Sequence, residues 1–159
     1  MPNAKRVLFI EDDEDYQRLV SAALVGSEDG FDVKTARTLA EGIGFLKQFN
    51  PQIIVVDLNL PDGAGYETFL RVQAQAGGVP IIVLTGWDDD DTALQAIKDG
   101  AQDYLVKNLI QPKLIARAMN MALNRPGHQD ARGAAGLAKP GTVMGFIGSK
   151  GGLEHLRRR

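Results

Sequence analysis

Short apolar runs alternate with amphipathic helical patterns five times in residues 1–125, and this alternation restricts the fold more than any other feature. The run Ile53–Val56 has four apolar residues in a row, which is typical of a strand covered on both faces, as in a parallel sheet flanked by helices. Repeated strand–helix units of this kind form doubly wound domains. We therefore predict an α/β fold with a five-stranded parallel sheet and five helices. The predicted strands are Val7–Ile10, Phe31–Ala36, Ile53–Val56, Val79–Leu84 and Tyr104–Val106.

Local signals mark where several helices begin and end. Thr38 and Glu41 have the spacing of a capping box, so a helix should begin there, and Pro51 should end it. Gly63 and Gly65 predict a loop after the third strand. Pro112 is suited to the first turn of the last helix.

Charge is distributed unevenly along the 159 residues. Residues 1–125 contain 18 acidic and 12 basic side chains, whereas residues 126–159 contain 2 and 6. An acidic domain argues against DNA binding by that part of the chain. The absence of cysteine excludes disulfides and thiolate metal sites. The apolar run near the N-terminus is too short for a signal peptide or membrane span, so we expect a cytoplasmic protein without membrane attachment.

Polar side chains stand at the carboxyl ends of four predicted strands. Glu11 and Asp12 follow the first strand, Asp57 closes the third, Thr85 follows the fourth and Lys107 follows the fifth. Because ligands of open α/β sheets bind outside the carboxyl ends of the strands, these side chains should converge on one rim.

Three carboxylates at one rim would repel one another and raise each other's pKa. A hard divalent cation with oxygen ligands relieves that conflict, and Mg²⁺ is the natural choice. Carboxylates, Mg²⁺, a lysine and a hydroxyl together are suited to binding a phosphoryl group. Taken singly, each residue has an ordinary alternative as a solvated loop, turn, capping or packing residue. The ordered set on successive strand–helix units favours the site.

With Asn59, Pro61, Gly86 and Tyr104 added, residues 5–125 resemble a receiver domain of a two-component response regulator. The resemblance implies a flavodoxin-like sheet of order 2-1-3-4-5. It covers about three quarters of the chain. One position departs from the family pattern, because Asn108 follows Lys107 where the family usually has proline.

The resemblance also implies a role for each matching residue. Asp57 would be the phosphoacceptor and a metal ligand, Asp12 a direct Mg²⁺ ligand, and Glu11 a ligand that acts mainly through a bound water. The backbone carbonyl of Asn59 would complete the metal site, and Lys107 would hold a phosphoryl oxygen. Two further residues, Thr85 and Tyr104, would be the switch pair that responds to phosphorylation.

These roles predict a signalling phosphoprotein that catalyses only its own phosphorylation and dephosphorylation. Its expected partner is a histidine kinase or phosphotransfer protein, and a homodimer is a family expectation. The alternative is a receiver-like interaction module that works unphosphorylated. An aspartyl phosphatase of the dehalogenase type is disfavoured because Asn59 stands where such enzymes need an acid–base Asp. A dinucleotide-binding domain is disfavoured because no G-x-G-x-x-G follows the first strand.

The remaining residues differ in composition from the predicted receiver domain at 1–125. Residues 126–141 are rich in Gly, Ala and Pro and predict a linker. The segment 142–159 is similar to the opening of an ATPase of the MinD/ParA type, but it lacks the glycine, second lysine and Thr or Ser that complete a phosphate-binding loop. We interpret it as the truncated start of such a domain followed by vector residues, with a flexible glycine-rich tail as the alternative.

Overall fold

The computed structural model describes residues 4–28, 30–86, 90–107 and 109–124. The central sheet contains five strands: β1 Lys5–Ile10, β2 Phe31–Ala36, β3 Ile53–Asp57, β4 Ile81–Thr85 and β5 Asp103–Val106. The helices that alternate with them are α1 Glu14–Val25, α2 Leu39–Phe49, α3 Tyr66–Ala76, α4 Asp90–Lys98 and α5 Pro112–Asn124. These elements confirm the predicted alternation of strands and helices.

All neighbouring strands of the sheet are parallel, in the order β2-β1-β3-β4-β5. The predicted order is therefore confirmed. From β1 the chain passes to β2 on one side of the sheet and then to β3 on the other side. Such a reversal of strand order leaves a crevice at the carboxyl ends of β1 and β3, where α/β sheets bind ligands. The register there pairs Ile10 with Val56, which brings the residues that follow the two strands side by side.

Burial explains why the apolar runs differ in strength. All five residues of β3 and all five of β4 are buried, because helices cover both faces of the sheet centre. In β2 only the two end residues are buried. Asp32 and Lys34 of this edge strand are exposed, so its weaker, alternating pattern reflects one side that faces solvent, whereas all four residues of the other edge strand, β5, are buried.

A hairpin stands where the sequence predicted only a loop between β3 and α3. Two two-residue strands, Asn59–Leu60 and Gly63–Ala64, pair in antiparallel fashion. Gly65 then has a φ of 68°, in the region that favours glycine, and α3 begins at the next residue. Gly63 thus lies in the second strand of the hairpin and Gly65 directly precedes α3, in place of the predicted loop.

The start of α2 is fixed by side chains from two parts of the chain. Thr38 Oγ1 accepts a hydrogen bond from the Glu41 N–H at 3.1 Å, as the capping box predicts, whereas Glu41 Oε1 accepts from the Arg37 N–H. Asp62, in the hairpin turn, accepts from the N–H groups of Leu39 and Ala40 at 2.7 and 2.9 Å. The hydrogen bonds from Ala40 and Leu39 hold the pKa of the Asp62 carboxyl below its usual range. The hairpin is thereby tied to α2.

Several predictions fall on residues outside the described ranges. These are the linker at 126–141, the segment 142–159 and the position of Asn108. The domain boundary near residue 125 stays a prediction. Within the ranges that are described, the helices are all too short or too polar to cross a membrane.

Candidate functional site

The candidate site lies at the crevice between β1 and β3. Glu11 follows β1, and its backbone N–H donates to the Ala36 carbonyl at 2.9 Å, which extends the contact between β1 and β2 by one residue. Asp57 is the last residue of β3. Both side chains are buried, with residue exposures of 0% and 5%. Two carboxyl groups therefore face each other at the end of the sheet with little access to water.

Asp12 joins these two residues to form an acidic cluster. Oxygen atoms of Glu11, Asp12 and Asp57 all lie within 4.8 Å of one another, and Asp12 is exposed. The sequence placed these three carboxylates at one rim, and the structure brings them together there. An open cluster of carboxylate oxygens is the donor set that Mg²⁺ prefers.

Lys107 reaches the two buried carboxylates from the end of β5. Its Nζ lies 2.9 Å from Glu11 Oε1 and 3.3 Å from Asp57 Oδ2. The Lys107 backbone N–H donates to the Thr85 carbonyl at 3.0 Å, which continues the pairing of β4 with β5. The lysine is thus held at both its backbone and its ammonium group. One positive charge faces a cluster of three carboxyl groups.

The charges and the burial of the site shift the pKa of both Glu11 and Lys107. Burial, together with the charge of Asp57, raises the pKa of Glu11 from 4.5 to about 7, although Lys107 and the Asp13 N–H oppose the rise. Burial alone would lower the pKa of Lys107, but its contacts with Glu11 and Asp57 outweigh burial and raise that pKa. The lysine therefore stays protonated, and its single charge does not offset the crowded carboxylates.

A turn after β3 orients Asp57. Its Oδ1 accepts a hydrogen bond from the Asn59 backbone N–H at 3.0 Å. Asp side chains commonly bond their own backbone two residues on in this way. The turn leads directly into the hairpin, so the Asp57 carboxylate and the backbone of Asn59 lie at the same rim.

The predicted switch residues lie in neighbouring strands. Thr85 ends β4, is buried, and donates through Oγ1 to the Leu105 carbonyl at 3.4 Å. Tyr104 is already buried, with 4% exposure. Burial and then the nearby Asp103 carboxyl raise the pKa of Tyr104 to about 12, so its phenol is neutral. In this state the Thr85 hydroxyl is bonded to β5.

Three residues of the first turn of α1 contact the site and were missed in the sequence analysis. Asp13 donates its backbone N–H to Glu11 Oε2 at 3.0 Å and caps α1 by accepting from the Tyr16 N–H. Gln17 Nε2 donates to the Glu11 carbonyl at 3.0 Å. The Tyr16 ring faces the Lys107 ammonium group. Asp13 could have been recognised as an N-cap by its position, whereas the contacts of Tyr16 and Gln17 depend on tertiary packing.

The family model described as the response regulator receiver domain matches residues 7–119. This range includes all four residues that converge at the rim. The chain belongs to the response regulator receiver domain family. Its fold and site geometry agree with that assignment, since the matched range begins in β1 and ends in α5.

Similar proteins include two regulators of transcription. The cell cycle transcriptional regulator CtrA of Caulobacter vibrioides is 30% identical over 91% of this chain and 60% of its own length. The KDP operon transcriptional regulatory protein KdpE of Escherichia coli is 39% identical over 75% of this chain and 51% of its own length. This receiver-family chain therefore spans about half to three fifths of these relatives.

A solved structure supports the fold independently. The CheY-like response regulator receiver domain protein from Methanospirillum hungatei aligns with a TM-score of 0.69 and covers 82% of this chain and 99% of its own. The two sequences are 22% identical. The similarity thus establishes the receiver fold.

Proposed function

We propose that this receiver domain accepts a phosphoryl group on Asp57 from a phosphohistidine of a histidine kinase or phosphotransfer protein, in the presence of Mg²⁺. The observation that supports this most directly is the position of Lys107 Nζ, 3.3 Å from Asp57 Oδ2, beside a cluster of three carboxyl groups. A purely structural acidic loop has no need of a partly buried lysine aimed at one of its carboxylates.

The residues present fit a magnesium ion. Asp12, Asp57 and the backbone carbonyl of Asn59 would be direct ligands, and Glu11 would act mainly through a bound water. The donor set is all oxygen, and the raised pKa of Glu11 reflects burial and a neighbouring negative charge that a divalent cation would offset. When bound, the ion neutralises charge on the transferring phosphoryl group.

The transfer itself is a single displacement at phosphorus. An oxygen of the Asp57 carboxylate attacks in line, an O–P bond forms, and the P–N bond of the donor phosphohistidine breaks. The bonding electron pair leaves with the imidazole. Lys107 offsets charge on the phosphoryl oxygens during the transfer. The product is an acyl phosphate that carries about two negative charges where the carboxylate carried one.

The new charge would act on the switch residues. The Thr85 hydroxyl, now bonded to the Leu105 carbonyl, would turn to donate to a phosphoryl oxygen, and Tyr104 would repack behind it. Such a change biases a pre-existing two-state equilibrium at the face formed by α4, β5 and α5. The output of the domain is a change in protein contacts at that face.

The wider context follows from the same proposal. We place the protein in the cytoplasm, as a signalling domain that catalyses only its own phosphorylation and dephosphorylation. Homodimerisation and control of a downstream ATPase domain in a longer protein are further parts of the proposal. The acidic receiver would bind protein partners, and DNA binding is not expected of it.

Mass spectrometry after incubation with acetyl phosphate and Mg²⁺ tests the proposal. We expect wild type to gain the mass of one phosphoryl group, and Asp57→Asn to gain none. Asp32→Asn is the matched control, because it makes the same change at an exposed carboxylate near the start of β2, far from the carboxyl edge of the sheet, and it should be labelled like wild type. An unlabelled wild type under these conditions would favour the interaction module that works unphosphorylated.

A further inference from the structure

We infer that Tyr16 is a positioning residue for Lys107, an inference that rests on the proposed phosphoryl transfer. The Lys107 Nζ lies 4.7 Å from the centroid of the Tyr16 ring. Cations at this distance are attracted by the negative face of an aromatic ring. The Lys107 side chain is only 20% exposed, so the contact is shielded from much of the competing water.

A closed circuit of contacts fixes the ring relative to the site. Lys107 Nζ contacts Glu11 Oε1 at 2.9 Å, and Glu11 Oε2 accepts from the Asp13 N–H at 3.0 Å. Asp13 Oδ1 in turn accepts from the Tyr16 N–H at 3.1 Å. The Tyr16 ring then faces Lys107 again. The N-terminus of α1 and the end of β5 are therefore held in one arrangement through the proposed site.

The ring performs this role and the hydroxyl does not. Burial raises the pKa of Tyr16 to about 12, so the side chain is a neutral phenol at physiological pH. Among the described residues, Tyr16 Oη is buried and has no hydrogen-bond partner. A phenylalanine at this position would therefore keep the contact with Lys107.

Positioning matters because a lysine ammonium is carried on a flexible four-carbon chain. A charge that is already aimed at the reacting group costs no reorganisation when the transition state forms. The ring occupies one side of the ammonium, and the carboxylates of Glu11 and Asp57 occupy another. When the Tyr16 ring is removed, we expect the Lys107 ammonium group to move toward solvent.

The test compares three variants of the full chain at saturating Mg²⁺ and acetyl phosphate, with the rate of Asp57 labelling as the readout. Tyr16→Leu removes the ring and should slow labelling by about fivefold, whereas Tyr16→Phe should match wild type. Phe45→Leu is the matched control. It removes the ring contact of Lys34, at 4.4 Å on the β2 side of the sheet, and should leave labelling unchanged.

A spectroscopic readout separates positioning from general packing. In wild type and Tyr16→Phe, the ring current should shift the NMR signals of the Lys107 ε-methylene protons upfield, and Tyr16→Leu should lose this shift. If the Lys107 ε-methylene protons of wild type have ordinary chemical shifts, the inference is overturned without any variant. Equal labelling rates for wild type and a folded Tyr16→Leu would also overturn it. A wild type that shows the upfield shift but takes up no phosphoryl group would instead contradict the proposed function.

Discussion

Glu11 is the residue at which the electrostatic conflict of the site is concentrated. It is fully buried, lies beside Asp57, and contacts the single ammonium group of Lys107. Burial penalises its charged form most, and the result is a pKa of about 7. A carboxyl group with such a pKa changes charge in the physiological range. Proteins place such groups at sites of function more often than elsewhere.

The raised pKa of Glu11 predicts that stability depends on pH in the absence of divalent cations. Between its ordinary value of 4.5 and about 7, the folded state retains a proton that the unfolded state has released. The free energy of unfolding should therefore fall as pH rises through this window, by up to about 3 kcal/mol from this group. Urea unfolding in EDTA at several pH values measures the effect.

Glu11→Gln provides the control for this prediction. The amide has nearly the same shape but cannot titrate, so the variant should lack this part of the pH dependence. If wild type and the variant give parallel profiles between pH 4.5 and pH 7, the assignment to Glu11 is wrong.

At the scale of secondary-structure elements, α2 and β1 approach each other closely where Gly42 faces Ile10. Gly42 is buried on the face of α2 that packs against the sheet. A Cβ at this position would overlap the side chain of Ile10, the last residue of β1. Ile10 is fully buried and directly precedes Glu11. The missing side chain therefore lets the helix rest on the strand that carries the site.

Two glycine substitutions in α2 should have opposite effects on stability. Gly42→Ala should destabilise the domain by about 1–3 kcal/mol, because Ile10 must shift inside a filled core. A Cβ at Gly44 would meet no atom within 4 Å, so Gly44→Ala should stabilise by up to about 1 kcal/mol through helix propensity. Urea unfolding curves measure both. Equal effects of the two substitutions would show that the close approach to Ile10 carries no energetic cost.

At the scale of the whole molecule, the carboxyl edge of the sheet joins distant parts of the chain. Residues 11, 57 and 107 meet there, and the backbone N–H groups of Asp13 and Asn59 donate hydrogen bonds to the same edge. Binding of a cation at this edge would therefore stabilise the folded domain as a unit. The unfolded chain, in which these residues are far apart, would gain much less.

Magnesium should raise the stability of the entire domain. At a free concentration of a hundred times Kd, the expected gain is about 3 kcal/mol, measured as a shift of the thermal or urea midpoint. Asp12→Asn should lose most of this gain. In EDTA the same variant should be at least as stable as wild type, because Asp12 is exposed and its loss removes one of three crowded carboxylates. Equal Mg²⁺ shifts in both proteins would remove Asp12 from the metal site.

Local sequence patterns predicted the fold well because they follow directly from burial. The apolar runs of β1, β3 and β4 are continuous since helices cover both sheet faces, and the run of β2 is weaker since one of its sides is exposed. The predicted boundaries of the strands and loops were less accurate than the predicted order of the elements. β5 begins one residue earlier than predicted, and the segment after β3 forms a hairpin that includes Gly63. Turn geometry depends on contacts that a run of apolar residues does not encode.

The sequence by itself determined the parallel sheet and the four polar residues that meet at its rim, Glu11, Asp12, Asp57 and Lys107. It could do so because the carboxyl ends of parallel strands lie at one edge of the sheet. A residue that directly follows such a strand in the sequence must therefore lie at that edge. The roles of these residues stay predictions. The tertiary structure alone decided that Tyr16 faces Lys107, that Asp62 caps α2 and that the Thr85 hydroxyl is bonded to Leu105. The directions of these side chains are set by packing between helices and strands. The local repeat of apolar residues carries no information about that packing.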